Sequence, residues 1–214
     1  MRWDHRNDFQ NPTRGFELSL SQDFAGLGGS VRYVKTSLDG GWYHGFSANW
    51  ILSVTGQAGY VGGWGGDTVR INDRFFAGGG NGGGAIFRGF QVAGIGPRDT
   101  TPGLGQEALG GKLYVIGTVE ETFPDFLPEQ YGIHTAAFSQ IGTLGMLDNA
   151  DKRTAGSLIN DPFVRDDLAL RMSAGISVFW KSPLGPIRID LAAPIIKQSY
   201  DKTQVFNFST STRF

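Results

Sequence analysis

The sequence predicts an all-β chain, an antiparallel transmembrane β-barrel or part of one, and three observations carry that expectation. Apolar and polar residues alternate with a period of two through most of the chain, the signature of strands with one apolar and one polar face. No run approaches the ~18 consecutive apolar residues that a membrane helix needs. The composition is also unlike that of a soluble enzyme: of 214 residues 33 are glycine and only 18% are charged, where a soluble domain carries about 25%. Aromatic content is 13%, led by 16 Phe, and mean hydropathy is only -0.18, so apolar groups are interleaved with polar ones. Nineteen basic and 20 acidic side chains leave a net charge of -1. No global field exists to hold nucleic acid, which is excluded as an expected partner.

The elements follow in order. Phe16, Leu18 and Leu20 alternate with Glu17, Ser19 and Ser21. A weaker stretch runs from Val31 to Leu38, and the segment from about Phe46 to Tyr60 reads as one strand with Phe46, Ala48, Trp50, Leu52 and Val54 on one face. Leu113, Val115 and Val119 oppose Lys112, Tyr114, Thr118 and Glu120; Ile133, Ala137 and Ile141 oppose His134, Phe138 and Gln140. The clearest strand sets Leu170, Met172, Ala174, Ile176, Val178 and Trp180 against Arg171, Ser173, Gly175, Ser177 and Phe179. After the turn Ser182-Pro183-Leu184-Gly185-Pro186, Ile187, Ile189 and Leu191 oppose Arg188 and Asp190. A last strand spans about 203 to 214, with Phe206, Phe208 and Phe214 on one face. That makes about eight strands and no convincing helix.

Strands of this kind suit a soluble sandwich with apolar faces inward or a membrane barrel with apolar faces toward lipid. The presumed inner faces carry Lys112, Glu120, His134, Gln140, Arg171, Arg188, Asp190 and Arg213. That is too polar for a dry core and fits a hydrated lumen, so the barrel is favoured. The turns near 24–30, 123–131 and 181–186 are short, whereas 62–107 and 143–167 are long and are expected at the opposite end, as in barrels with short periplasmic turns and long external loops. The stretch 62–107 is too long for a simple connection and is the first candidate for a functional element.

Within it stand Asp73-Arg74-Phe75-Phe76-Ala77-Gly78-Gly79, Phe87-Arg88-Gly89-Phe90 and Gly94-Ile95-Gly96-Pro97-Arg98-Asp99. Here the chain resembles the outer-membrane assembly factors of the bacterial surface antigen superfamily, in the C-terminal half of their barrel. The family's sixth external loop carries Arg-Gly-Phe/Tyr, preceded by aromatic-x-Gly-Gly (Phe76, Gly78, Gly79) and followed by Gly-Pro-basic (Gly96, Pro97, Arg98). Asp4-x-Arg6 with Asn11-Pro12-Thr13-Arg14-Gly15, Arg171-x-Ser173-x-Gly175 and the terminal Phe214 extend the resemblance over almost the whole chain. It implies strands nine to sixteen of a sixteen-stranded barrel, so residues 1–214 are expected to form a single barrel domain or a C-terminal barrel fragment.

The resemblance further implies that Arg88 reaches into the lumen and pins the loop near a Phe-x-Asp-x-Gly strand. This sequence departs there, reading Phe138-Ser139-Gln140-Ile141-Gly142, so an amide replaces the carboxylate. Glu120 or Asp190 is expected to supply the missing charge, with Gln140 and Arg171 as further lumen partners of the loop. A glycine-rich insertion, Gly80 to Ile86, is a second departure. By the same resemblance, Phe206, Phe208 and Phe214 belong to a weak seam beside the last strand, and the spacing alone fits a lipid-facing row equally well. The function implied is folding and insertion of β-barrel proteins at the bacterial outer membrane, without covalent chemistry. The implied partners are outer-membrane lipids, unfolded barrel clients, accessory lipoproteins and the N-terminal barrel and POTRA region. A translocation-type relative, a small outer-membrane enzyme and a passive pore are the alternatives.

No cofactor is expected. With no Cys there is neither a disulfide nor a thiolate metal site. His5, His44 and His134 are scattered in sequence, which gives a metal little support. Gly78-x-Gly80-x-x-Gly83 matches a dinucleotide fingerprint only formally, because it opens no helix in a βαβ unit. Glu120 and Glu121 are adjacent on a strand and so point to opposite faces. The N-terminus has no apolar stretch that would act as a secretory signal.

Overall fold

A computed structural model of the chain describes residues 1–9, 11–26, 28, 31–47, 49–79, 84–103, 106–124, 131–152, 161–182 and 185–210. The strands are β1 (Arg2–Asp4), β2 (Arg14–Ala25), β3 (Tyr33–Ser47), β4 (Trp50–Gly63), β5 (Gly89–Phe90), β6 (Arg98–Asp99), β7 (Leu113–Thr122), β8 (Ile133–Gly145), β9 (Val164–Arg165), β10 (Arg171–Ser182), β11 (Gly185–Ile196), β12 (Thr203–Gln204) and β13 (Phe206–Thr210), with one turn of 3-10 helix at Ile71–Asp73. Nine of them form one antiparallel sheet in the order β1-β2-β3-β4-β7-β8-β10-β11-β13. Eight are the long strands read from the sequence, and β1 is a three-residue addition. Among the described residues β13 pairs with β11 alone, and no ladder closes the sheet back onto β1. Such a twisted sheet is a barrel wall left open at two edges.

The alternation does what a membrane wall requires. Phe16, Leu38, Trp42, Val54, Val115, Val119, Ile141, Ile176, Leu191, Phe206 and Phe208 all face outward and exposed. Gln140, Arg171, Ser173, Ser177, Asp190, Asn207 and Ser209 are buried on the inner face. Consequently the dry core lies inside the wall. It is built by Ala77, Phe87, Phe90 and Ile95 of the 64–112 connection packed on Tyr114, Ile116 and Leu144 of β7 and β8.

Two sequence expectations are corrected. The segment expected as one strand over 46–60 is divided: Phe46 and Ser47 end β3, which extends the weaker stretch expected from Val31 to Leu38, and β4 begins at Trp50 after a tight hairpin in which Ser47 pairs with Trp50. The register shifts by one between Gly45 and Ser47. This bulge keeps even-numbered residues outward on both strands, so the hydropathy alternation runs through the turn without a break in phase. Because β3 turns into β4 at the opposite end, the 26–32 turn stands at the same end as the long connections, not opposite them. Trp64, just after β4, donates its Nε1 hydrogen to Ala25 O at 3.0 Å and stacks on Phe24.

The expected strand 203–214 is also divided. Thr203 and Gln204 leave the sheet and pair as β12 with Phe90 and Gly89 of β5; only from Phe206 does the chain run along β11. Pro194 supplies the reason. Ala192 N–H donates toward the last strand, to Val205 O at 2.8 Å. The next residue of that parity is Pro194, which has no N–H to give, so the ladder stops there. Residues 211–214, including Phe214 and Arg213, lie outside the described residues, as do Gly80, Asn81, Gly82 and Gly83.

Candidate functional site: the Arg88 loop in the wall

The loop motif lies flat on the inner wall. Phe87 and Phe90 are fully buried with rings at 5.3 Å in an edge-to-face contact. Gly89 has φ +89, and a Cβ built there would stand 3.1 Å from Ser173 Cβ of β10. Only glycine combines that conformation with that approach. Gly79 N–H donates to Phe90 O at 2.9 Å and Gly78 N–H to Ala85 O at 3.0 Å, so the flanking glycines bind the motif to its own loop. Phe76 is half-buried, and its carbonyl accepts from Ala85 N–H.

Each residue of the Phe138-x-Gln140-x-Gly142 strand meets one residue of the motif. The Arg88 guanidinium lies over the Phe138 ring at 3.4 Å from its centroid. Gln140 Oε1 accepts from Arg88 N–H at 2.8 Å and from Arg88 Nε at 3.1 Å. Across from Gly142, where a Cβ would stand 3.0 Å from Phe87 Cε2, the strand leaves room for the Phe87 ring. The amide end of Gln140 is used as well: Nε2 donates to Thr118 Oγ1 at 2.8 Å and to Ile86 O at 3.4 Å.

The charge comes from both candidate carboxylates. Arg88 Nη1 donates to Glu120 Oε2 at 2.6 Å and stands 3.6 Å from Asp190 Oδ1. A second cation completes the group. Arg188 Nη2 donates to the same Glu120 oxygen at 2.8 Å, and its Nε donates to Asp190 Oδ1 at 2.9 Å. Ser177 Oγ sits between them, accepting from Arg188 Nη2 at 3.0 Å and donating to Asp190 Oδ1 at 2.5 Å. Two guanidiniums and two carboxylates from the loop, β7 and β11 thus balance to zero net charge. That balance is what permits them to be buried. Sequence reasoning did not name Arg188 or Ser177 as part of the site. The signal was present, since both sit at polar inner positions beside the residues that were named.

Arg171, expected among the loop's partners, turns elsewhere. It lies six residues from Ser177 along β10, about 20 Å at ~3.4 Å per residue, too far to join the cluster. Its Nε and Nη2 instead donate to Asp201 at 3.1 Å each, and Nη2 reaches Tyr200 Oη at 3.2 Å. Both partners of that pair are fully buried. Asp201 directly precedes the segment whose Lys202 backbone pairs with Gln91 and Gly94 of the loop.

Arg98 forms a second anchor. It is buried, donating to Gln106 O and Ala93 O at 2.6 Å each. Burial pushes its guanidinium below the ordinary value, against the pull of nearby Asp201. Gly96 and Pro97 are buried beside it; at Gly96, φ +100, a Cβ would strike Leu144 Cδ2 at 2.5 Å. At the long-loop end Arg74 pairs with Asp151 at 2.6 Å, and Lys112 pairs with Asp148. Burial works against the Asp148 charge, but Lys112, the Val69 N–H and Arg74 outweigh it and hold the carboxyl below its ordinary range. Phe206 and Phe208 are exposed on the outward face of β13. Among the described residues no group of three or more His, Asp or Glu could hold a metal ion.

A polar inner face and an exposed apolar outer face are those of a transmembrane β-barrel wall. The Omp85 superfamily domain matches residues 1–214, and the chain belongs to that superfamily. The chain is similar to the outer membrane protein assembly factor BamA of Neorickettsia risticii, 31% identical over 204 residues that cover 95% of this chain and 25% of that protein. BamA of Neisseria meningitidis serogroup B is 27% identical over 219 aligned positions, covering 95% and 26%. Among solved structures, the crystal structure of BamA from Haemophilus ducreyi lacking POTRA domains 1–3 superposes with a TM-score of 0.79 at 26% identity, covering 97% of this chain and 40% of that one. The chain therefore spans about a quarter of the length of these curated relatives.

Proposed function

We propose that this chain forms the C-terminal wall and loop of a barrel that folds and inserts β-barrel proteins into the bacterial outer membrane. The observation that carries the reading is the seating of Arg88. Its loop is fixed to the wall by a neutral four-charge cluster and is backbone-paired, through β5 and β12, to the residues that lead into the last strand. The loop and the sheet edge are thereby one mechanical unit. An exposed edge of unpaired backbone groups can template an extended client segment, and Phe206 and Phe208 would line its lipid side. Such a role requires neither covalent chemistry nor a cofactor: the Arg88 cluster orients a loop, and backbone hydrogen bonds select extended chains. The partners that go with this role are outer-membrane lipids, unfolded barrel clients, accessory lipoproteins and POTRA domains, the last being named for the Haemophilus relative.

The test is client folding by the full-length protein in proteoliposomes. Arg88→Ala is expected to slow folding of a barrel client at least tenfold while the barrel keeps its heat-modifiable mobility. Arg88→Lys, which keeps the charge but loses the fork that spans Glu120 and Gln140, should be intermediate. Parent-like client folding in a folded Arg88→Ala protein would overturn the reading.

A further inference from the structure

The outward face of the sheet holds a feature separate from the Arg88 site. His5 and His44, far apart in sequence, lie on the same outward face as Arg14 at the short-turn end of β2 and β3. Ring contacts and cross-strand pairings link them. The His5 ring meets Phe16 at 5.1 Å; Phe16 is the cross-strand partner of Trp42. Trp42 stacks on His44 at 5.7 Å with planes 10° apart, and His44 is the cross-strand partner of Arg14. Phe46 and Trp50 extend the row, at 4.9 Å from His44 and 5.0 Å from Phe46 respectively. All seven side chains are exposed.

The carboxylates nearby are otherwise engaged. Asp4 and Glu17 are bound by Arg2 and Arg6. Glu121, outward on β7, accepts from Trp50 Nε1 at 2.8 Å. Among the described residues no ion pair forms to Arg14, His5 or His44. A guanidinium and two imidazoles thus project from a sheet face whose next rows, Leu18 and Leu20, are apolar. An aromatic row of this kind marks the level of the lipid headgroups in a membrane barrel. At that level the abundant group that needs two or more N–H donors beside an apolar floor is the phosphodiester of a glycerophospholipid, which the arginine fork matches.

We infer that Arg14, His44 and His5 form a binding site for the phosphate of an anionic glycerophospholipid in the leaflet at the short-turn end, with Phe16 and Trp42 beneath its glycerol and upper acyl segments. The inference rests on the outward face meeting lipid and not on the assembly reading, so either can fail without the other.

The test uses the full-length protein in phosphatidylcholine bilayers. Electron spin resonance of spin-labelled phosphatidylglycerol against spin-labelled phosphatidylcholine gives the relative association at the protein boundary. The parent should prefer phosphatidylglycerol. Arg14→Gln should lower that preference roughly fivefold, the change that corresponds to about 1 kcal/mol for one cation near an anionic surface. Arg14→Lys should retain part of it, and the His5→Gln/His44→Gln pair should lower it further in the Arg14→Gln background. Arg32→Gln removes a cation at the other end, where Arg32 stacks on Trp64, and should leave the preference unchanged. Equal preference in the parent and the triple variant, or an equal fall in Arg32→Gln, would overturn the site. Heat-modifiable mobility of each variant separates loss of binding from loss of fold.

Discussion

Gln140 stands where the family pattern places a carboxylate, and its amide does two jobs that a carboxylate cannot combine. Its oxygen holds the Arg88 backbone and Nε, while its nitrogen donates to Thr118 and Ile86 O. The charge work is left to Glu120, which serves Arg88 and Arg188 together, and to Asp190. These side chains therefore differ in what their removal leaves behind. Glu120→Gln takes the short charge partner from Arg88 and one of two from Arg188, and should destabilise the seated loop by about 3 kcal/mol, the low end of the range for a broken buried pair because Asp190 stays beside both guanidiniums. Gln140→Ala takes the acceptor from the Arg88 backbone N–H and Nε but leaves the Glu120 pairing in place, at roughly 1–3 kcal/mol. Asp190→Asn should matter least for the loop, since Arg88 keeps its short bond to Glu120. The rate of tryptic cleavage after Arg88 in the folded barrel measures all three, and the expected order is Glu120→Gln fastest, then Gln140→Ala, then Asp190→Asn. Glu120, Gln140 and Asp190 were legible in the sequence because alternation placed them on one polar face. That Glu120 is shared with Arg188 was not, because cross-strand distances depend on register, which the alternation does not set.

At the scale of elements, strands were legible wherever a phase change or a turn residue marked their ends. The β3–β4 turn was placed too early, between 38 and 46, because the true turn carries no Gly or Pro at 48 and 49 and its bulge preserved the phase. The departure of β12 from the last strand was missed for a different reason. Its cause, Pro194, sits on the neighbouring strand and acts by withholding a donor, which no pattern within 203–210 records. Pro194→Ala restores that donor, and Thr203 is then expected to move from β5 to the β11 edge. Hydrogen exchange would show it as a protected amide at the substituted position, with loss of protection at Phe90 or Gln91. Gly89→Ala should disrupt the same ribbon from the other side. A left-handed residue with a Cβ costs roughly 1–2 kcal/mol, in addition to the clash with Ser173, so faster exchange at Thr203 and Gln204 is expected while β3 and β4 exchange as before.

For the whole molecule, the two long connections are tied together by Arg74–Asp151 and Lys112–Asp148. Asp148 carries a carboxyl below its ordinary value of 3.8, so its contribution is fully present above that value and is lost as pH falls through the lower folded value. Loop protection from proteolysis or exchange should therefore hold from neutrality down to about pH 4 and decline below it. In Asp148→Asn the protection should be weaker from neutrality down to about pH 4 and should converge with the parent's in more acid solution, so its decline is shallower.

The placement of the dry core in a connection, with the wall wet inside and oily outside, reverses the usual map of mutational tolerance. In most proteins loops absorb change and strands resist it. Here an outward strand position asks only for oiliness, and Val, Leu, Ile and Phe should be nearly interchangeable at sites such as Val115, Ile141 or Ile176. The connection holding Phe87, Phe90, Ile95 and Arg98 should accept almost nothing. A saturation library scored for surface-assembled protein would then read as its own negative, with the loop drawn as the rigid skeleton and the strands as the permissive filling.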